Sequence, residues 1–139
     1  MLEKMYQIVK DVNKNSYSPY SNYRVSACIL CKDGTFISGV NVENASYGLS
    51  MCAERTALFK AISMGYKPGD FDKIMIYTNR NDSIPYPCGA CLQVISELMG
   101  LDKEVIVTND NHEFIINKVS DMLPFAFKKE NLWNLVQSL

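Results

Sequence analysis

The chain has 139 residues, of which 47% are hydrophobic and 21% charged, and 14 basic against 15 acidic side chains give a net charge of −1. This length suits one domain, and the composition is that of a folded globular chain, which excludes disorder. The charge lacks the basic excess that binding to nucleic acid demands, and no apolar run reaches the roughly 18 residues of a membrane span. We therefore expect a single domain over residues 1–139, with neither nucleic acid nor membrane as a partner.

The N-terminal segment indicates the cellular compartment, and the compartment in turn indicates how the cysteines are used. The N-terminal segment MLEKMYQIVKDVNKNS carries acids and lysines at regular intervals and lacks the apolar core of a signal peptide. We therefore expect a cytoplasmic protein in a reducing environment. Five cysteines, an odd number, are there better explained as thiols or metal ligands than as disulfides.

Hydrophobic periodicity predicts the elements in chain order, beginning with an amphipathic helix and a hairpin that turns at Asp33-Gly34. Helices are predicted at 2–15, 51–64 and 89–99. Strands are predicted at 25–30, 35–42, 72–78, 104–108 and 113–119. A hairpin followed by alternating helices and strands predicts an α/β sandwich around a sheet of about five strands. Trp133 is expected to anchor a further, C-terminal helix.

Two cysteine clusters lie where predicted helices begin. Cys52 and Glu54 open one helix in SMCAERTALF, and Cys88 and Cys91 open the next in PCGAC. Free backbone N–H groups and the helix dipole favour thiolates at both places. Three thiolates without a fourth protein ligand describe an open zinc site, in which the bound water becomes acidic near neutral pH. Glu54 is then placed to carry protons from that water to a leaving group.

Two alternative roles for the cysteines are also compatible with their spacing. Cys28 and Cys31 could join Cys88 and Cys91 in a four-thiolate zinc ribbon, the closed site of an interaction module. Residues three apart on a strand face opposite sides of the sheet, however, which favours a structural role for Cys28 and Cys31. The CGAC segment alone could also be a thioredoxin-like redox pair, a role that leaves Cys52 unused.

Beyond these motifs, the sequence resembles the small, homotetrameric cytidine deaminases of nucleoside salvage. The similarity runs through YSPYSNYRVSA, DGTFISGVNVENASYGLSMCAERTALFKA, PCGACLQVISEL and MLPFAF, essentially the whole chain. It implies a three-layer α-β-α sandwich around a mixed sheet, a homotetramer, and one zinc per subunit on Cys52, Cys88 and Cys91. It also implies hydrolytic deamination of free cytidine and 2′-deoxycytidine, with Glu54 protonating N3 of the base and then the 4-amino group, which leaves as ammonia.

The same resemblance implies roles for residues around the substrate. Asn41 and Glu43 in NVEN match the family's ribose-binding pair. Tyr23 matches an aromatic that lies beside the base, usually Phe in the family. Phe127 matches an aromatic that a neighbouring subunit contributes to the pocket. The NVEN pair favours a nucleoside over the substrate of blasticidin S-type aminohydrolases, which lack it, and the acidic balance disfavours an RNA or DNA substrate.

Charge compensation around the thiolates is the point where this chain departs from the family. Zn²⁺ with three thiolates carries a net charge of −1, and the resemblance implies that Arg55 offsets it by bonding the cysteine ligands. Leu92 stands where many relatives have Arg. The compensation is therefore expected to fall on Arg55, the helix termini and Gln93. His112, the only histidine, has no predicted role.

Overall fold

The structure is a computed structural model that describes residues 1–132. Trp133 and its predicted C-terminal helix lie outside the described residues. The helices are α1 (Leu2–Val12), α2 (Ala53–Ser63), α3 (Gly89–Leu98) and the short α4 (Val119–Met122). The strands are β1 (Val25–Cys31), β2 (Phe36–Val40), β3 (Phe71–Thr78), β4 (Glu104–Thr108) and β5 (Phe114–Lys118).

The five strands form one mixed sheet in the order β2-β1-β3-β4-β5. Three of the pairings are antiparallel, and β3 pairs with β4 in parallel. Helix α3 belongs to the connection between β3 and β4, because parallel neighbours need a crossover where antiparallel ones need only a turn. The prediction of an α/β fold around a mixed sheet of five strands is confirmed.

The side chains of the strands alternate between two separate hydrophobic cores, one on each face of the sheet. On one face α1 buries Met5 and Tyr6 against strand residues that include Cys28. On the other face α2 and α3 bury residues such as Leu58 and Ile95. Period-two alternation along the strands is the cause, since neighbouring residues point to opposite sides. The helices and the sheet therefore make the three layers that the sequence predicted.

Small residues bring α2 very close to the sheet. Gly39 of β2 pairs with Ala27 of β1, and both lie beneath α2. A Cβ at Gly39 would stand 2.6 Å from the backbone nitrogen of Ala57 and 2.9 Å from the carbonyl oxygen of Ala53. The absent side chain of Gly39 thus sets the distance between the sheet and the helix that begins after Cys52.

Most predicted bounds differ from the observed ones by one to three residues, and two of the departures from the prediction have identifiable reasons. Helix α2 begins at Ala53, two residues after the predicted start, because Met51 is extended and exchanges backbone hydrogen bonds with Val42. Helix α4 was not predicted, since a single turn is too short to show a helical period. Within residues 1–132, no helix combines the length and the apolar character needed to cross a membrane.

Candidate metal centre and active site

Three thiols meet at the adjacent starts of α2 and α3. Cys52 is the N-cap of α2, Cys88 is the N-cap of α3, and Cys91 lies in the first turn of α3. Their sulfur atoms all lie within 4.8 Å of one another, and those of Cys88 and Cys91 are 3.5 Å apart. The two helix starts converge because α2 and α3 pack side by side on the same face of the sheet.

The donor set fits zinc. Zn–S bonds of about 2.3 Å in a tetrahedron place sulfur atoms about 3.8 Å apart, close to the spacing seen here. Hydrogen bonding with Cys91 is the main cause that lowers the pKa of Cys52 to about 5, against the opposing effect of burial. The same contact, with burial, raises the pKa of Cys91. Three protein sulfurs leave one tetrahedral position for a water or a substrate, as in catalytic zinc sites.

Arg55 supplies positive charge beside these thiols. Its Nη2 donates a hydrogen bond to the sulfur of Cys52 at 3.5 Å. That hydrogen bond is also the main cause that raises the pKa of the guanidinium. The Nε atom of Arg55 is buried and has no hydrogen-bond partner within the part of the chain that the structure describes. A guanidinium that bonds one of the thiols and, among the described residues, keeps a buried donor without a partner indicates that the site is built to hold negative charge.

Glu54 is a buried acid next to the thiols. Its side chain is only 4% exposed although glutamate seldom lies in a protein interior. Burial is the main cause that raises its pKa to about 7, and the negative charge of Cys52 acts in the same direction. A carboxyl group in this range can both accept and release a proton near neutral pH, which is the requirement for general acid–base catalysis.

A cavity of about 250 Å³ lies directly over these groups. Its floor is formed by Cys52, Ala53, Glu54 and Cys88. The walls come from segments far apart in the sequence: Ser21, Tyr23, Val25, Asn41, Glu43, Tyr47, Pro85 and Tyr86. A mostly apolar cleft with a few convergent polar groups is the usual form of a small-molecule site. Three residues predicted to bind substrate, Tyr23, Asn41 and Glu43, therefore line the same cavity as the predicted proton shuttle.

Asn41 and Glu43 also organise the segment at 16–25. The amide nitrogen of Asn41 donates to the carbonyl of Tyr23 at 2.8 Å, and its oxygen accepts from Ser16 and from the backbone N–H of Val25. The carboxylate of Glu43 accepts the backbone N–H groups of Tyr20 and Ser21, at 3.0 and 3.1 Å, and the hydroxyl of Ser21.

The charge of Glu43 reflects these bonds. Burial raises the pKa of this carboxyl, but the three hydrogen bonds from Ser21 and Tyr20 lower it, and the net shift is downward. The side chain is therefore ionised at neutral pH while only 7% exposed. A buried carboxylate that lines a cavity can accept a hydrogen bond from a hydroxyl group of a ligand.

Phe127 and Gln93, for which roles were also predicted, lie outside this cavity. Phe127 is 58% exposed and lines a different surface hollow together with Lys128 and Phe125. The side chain of Gln93 donates to the carbonyl of Phe127 at 2.9 Å instead of pointing to the thiols. Of the two side chains expected to compensate the thiolates, only Arg55 touches one.

The structure separates Cys28 and Cys31 from the metal centre. They belong to the two different cores on opposite faces of the sheet, as expected for strand residues three apart. Burial raises the pKa of Cys28 to about 12 and that of Cys31 to about 11, so both remain thiols. They cannot complete a ribbon with Cys88 and Cys91, and the prediction of a structural role is consistent with their positions.

An α/β sandwich with three thiols and a buried glutamate at paired helix starts has the architecture of zinc-dependent hydrolytic deaminases. Residues 1–109 match the family model of the cytidine and deoxycytidylate deaminase zinc-binding region. A cytidine deaminase from Halalkalibacterium halodurans is 45% identical over 119 residues, covering 86% of this chain and 88% of the relative. One from Sporosarcina psychrophila is 38% identical over 131 residues, 94% of each chain.

Solved structures agree with the sequence relatives. The crystal structure of cytidine deaminase from Burkholderia pseudomallei superposes with a TM-score of 0.87 at 42% identity, over 91% of this chain and 99% of that one. The chain therefore belongs to the zinc-binding cytidine and deoxycytidylate deaminase family. The resemblance of the sequence to cytidine deaminases is confirmed.

Proposed function

We propose that this protein is a zinc-dependent cytidine deaminase, which hydrolyses free cytidine and 2′-deoxycytidine to uridine and 2′-deoxyuridine with release of ammonia. The observation that carries this assignment is the buried Glu54 beside three thiols, in one cavity with an amide and a carboxylate suited to a sugar. Relatives named as cytidine deaminases, at 45% and 42% identity, support the choice of base. On this proposal residues 1–139 form a single deaminase domain.

Cys52, Cys88 and Cys91 are the residues that would hold one zinc per subunit. When bound, zinc supplies Lewis-acid activation of a water molecule at neutral pH. Arg55 holds the sulfur of Cys52 by a hydrogen bond and offsets part of the negative charge of the three thiolates. This contact supplies part of the charge compensation that, in many relatives, an Arg provides at the position of Leu92.

Glu54 moves the protons of the reaction. Its raised pKa, about 7, lets the carboxylate accept a proton from the attacking water and return it within one catalytic cycle. As the water oxygen bonds to C4 of the cytosine ring, Glu54 delivers the first proton to N3. The second proton of the water then passes through Glu54 to the 4-amino group, the C4–N bond breaks, and ammonia leaves.

Asn41 and Glu43 are proposed to bind the ribose. Asn41 donates one of its two amide hydrogens to the carbonyl of Tyr23. Glu43 accepts three hydrogen bonds, and a carboxylate has about four acceptor sites. One donor and one acceptor thus remain for the sugar. A ribose hydroxyl can accept from the first and donate to the second, which favours a nucleoside over a free base.

The protein is further proposed to act as a cytoplasmic homotetramer in pyrimidine salvage. Phe127 supports an assembly, because this aromatic side chain is exposed and lies outside the cavity of its own chain. In a tetramer Phe127 would complete the cavity of a neighbouring subunit.

The direct test is uridine formation from cytidine by zinc-loaded protein, followed by absorbance, with zinc content measured in parallel. We expect Glu54→Gln to keep its zinc and to lose about 10²-fold to 10⁴-fold in kcat, the usual contribution of a positioned acid–base group. Glu97→Gln, on the exposed side of α3, is the matched control and is expected to stay active. A folded, zinc-loaded wild type without turnover would overturn the substrate assignment, and an active Glu54→Gln variant would overturn the proton shuttle.

A further inference from the structure

The loop at 79–87, between β3 and the metal-binding start of α3, forms one wall of the cavity. We propose that the hydroxyl groups of Tyr23 and Ser83 form a clasp that holds this loop over the bound nucleoside, which makes Ser83 a positioning residue for substrate binding. The inference rests on the proposed function, because its kinetic consequence is a change in the binding of cytidine. The clasp itself is a property of the protein without substrate.

The clasp joins two walls that are distant in the sequence. The hydroxyl oxygens of Tyr23 and Ser83 are 2.7 Å apart, across 60 residues of chain. Tyr23 lines the cavity on one side, and Pro85 and Tyr86 of the loop line it on the other. The hydrogen bond therefore sets the separation between the two walls that enclose a substrate.

The outer side of the loop is tied to the turn between β4 and β5. Asn109 donates from its amide to the carbonyl of Ser83 at 3.2 Å, and Asn111 donates to the carbonyl of Asn81 at 3.0 Å. The backbone N–H of Asp110 donates to the carbonyl of Arg80 at 3.3 Å. These bonds position the loop against the body of the protein, on the side away from the cavity.

The turn is itself well supported. Asn109 is 6% exposed, and its carbonyl accepts a hydrogen bond from the hydroxyl of Tyr6 in α1 at 3.0 Å. Tyr77 of β3 donates to the carboxylate of Asp110 at 2.9 Å. The outer attachment of the loop is therefore tied through the turn to α1 and β3, whereas its inner attachment depends on the hydroxyl of Tyr23.

On the inner side, the hydroxyl pair is the hydrogen bond that links residues 79–87 to residues 16–25 within the described chain. The guanidinium of Arg80 also lies 5.9 Å from the centre of the Tyr23 ring, but a bidentate contact with Asp82 engages its nitrogens. Without the clasp, the substrate must order this wall of the cavity when it binds. The cost of that ordering weakens the affinity for cytidine. Glu54 and the three thiols keep their own contacts.

The kinetic test compares Tyr23→Phe, Ser83→Ala and the double variant with the wild type. Each single variant is expected to raise KM for cytidine by roughly threefold to tenfold, the effect of one neutral hydrogen bond, with kcat changed less than about twofold. The double variant is expected to be no worse than either single one, since both remove the same bond. Ser83→Thr, which keeps the hydroxyl, is expected to restore KM.

The competing possibility is a direct contact between the Tyr23 hydroxyl and the substrate. It predicts that Tyr23→Phe raises KM while Ser83→Ala does not, and that result would overturn the clasp. Additive effects in the double variant would overturn it as well. Tyr66→Phe is the matched control, because it removes a tyrosine hydroxyl bonded to Asp33 on the surface and is expected to leave KM unchanged.

Hydrogen exchange of the zinc-loaded protein without cytidine separates the clasp from the proposed function. Amide exchange in residues 79–87 is expected to be faster in both single variants than in the wild type and in Tyr66→Phe. A wild type that does not deaminate cytidine would defeat the proposed function, and the exchange data would still decide on the clasp. Unchanged exchange in Tyr23→Phe and Ser83→Ala would overturn the clasp, whatever the activity.

Discussion

Gly39→Ala is expected to impair catalysis from beneath the active site. The new Cβ would stand 2.6 Å from the backbone nitrogen of Ala57, which is 0.8 Å short of the 3.4 Å at which ordinary van der Waals contact begins. The neighbouring atoms belong to the backbone of α2, so no side chain can turn aside to make room. Either the helix or the strand must move by several tenths of an ångström, and Cys52 and Glu54 move with the helix.

The size of the effect follows from this displacement. Overpacking in a core costs typically about 1–3 kcal/mol, which lowers the unfolding temperature of a domain of this size by several degrees. A misplacement of about 1 Å at a catalytic group can cost ~10²-fold in rate, so we expect kcat/KM for cytidine to fall at least about tenfold.

The assay measures thermal unfolding, zinc content and kcat/KM on the same preparations. Gly48→Ala is the matched control, because a Cβ there meets no atom within 4 Å and the residue has no positive φ. It is expected to be as stable and as active as the wild type. If Gly39→Ala retains both its unfolding temperature and its kcat/KM, α2 does not depend on the missing side chain of Gly39 for its position against the sheet.

Two further predictions concern a buried charge and a buried thiol. Because the folded pKa of Glu43 is lowered, its stabilising effect is present above the ordinary carboxyl pKa and is lost as the pH falls through the folded value. The advantage of the wild type over Glu43→Gln in thermal unfolding should therefore stay constant at pH values above the ordinary carboxyl pKa of 4.5 and shrink as the pH falls below it, and a gap that stays constant there would contradict this. Cys28→Ser is expected to keep one zinc per chain while it loses roughly 1–3 kcal/mol of stability, since it buries a hydroxyl. Loss of zinc in this variant would instead indicate that Cys28 is a ligand in a structural zinc ribbon.

The strands and the metal site could be predicted because their signals are local. Strand β4 coincides with its predicted range, since EVIVT is a short apolar run between polar turns. Cys52 and Glu54 lie close together in one segment, and Cys88 and Cys91 in another, so spacing alone places them at helix N-termini. Their convergence needed only the expectation that two consecutive helices cover the same face of a sheet.

The walls of the cavity could not be predicted in the same way. Ser83 meets Tyr23 across 60 residues and Asn109 across 26, and no local pattern shows which loops of a fold come together. Ser21 was missed as a partner of Glu43 because a serine in a polar loop is usually solvated. Gln93 was expected to help compensate the thiolates because Leu92 replaces the Arg of many relatives, but its side chain donates to the carbonyl of Phe127 instead.

The parallel pairing of β3 with β4 also bears on the order in which the protein folds. The hairpin of β1 and β2 needs only neighbouring residues, whereas β3 finds β4 after the whole crossover has closed, and such distant contacts form late. Cys88 and Cys91 lie within that crossover, and Cys52 precedes it. We therefore expect the three thiols of the metal centre to come together late in folding, because the crossover that carries two of them closes only when β3 pairs with β4.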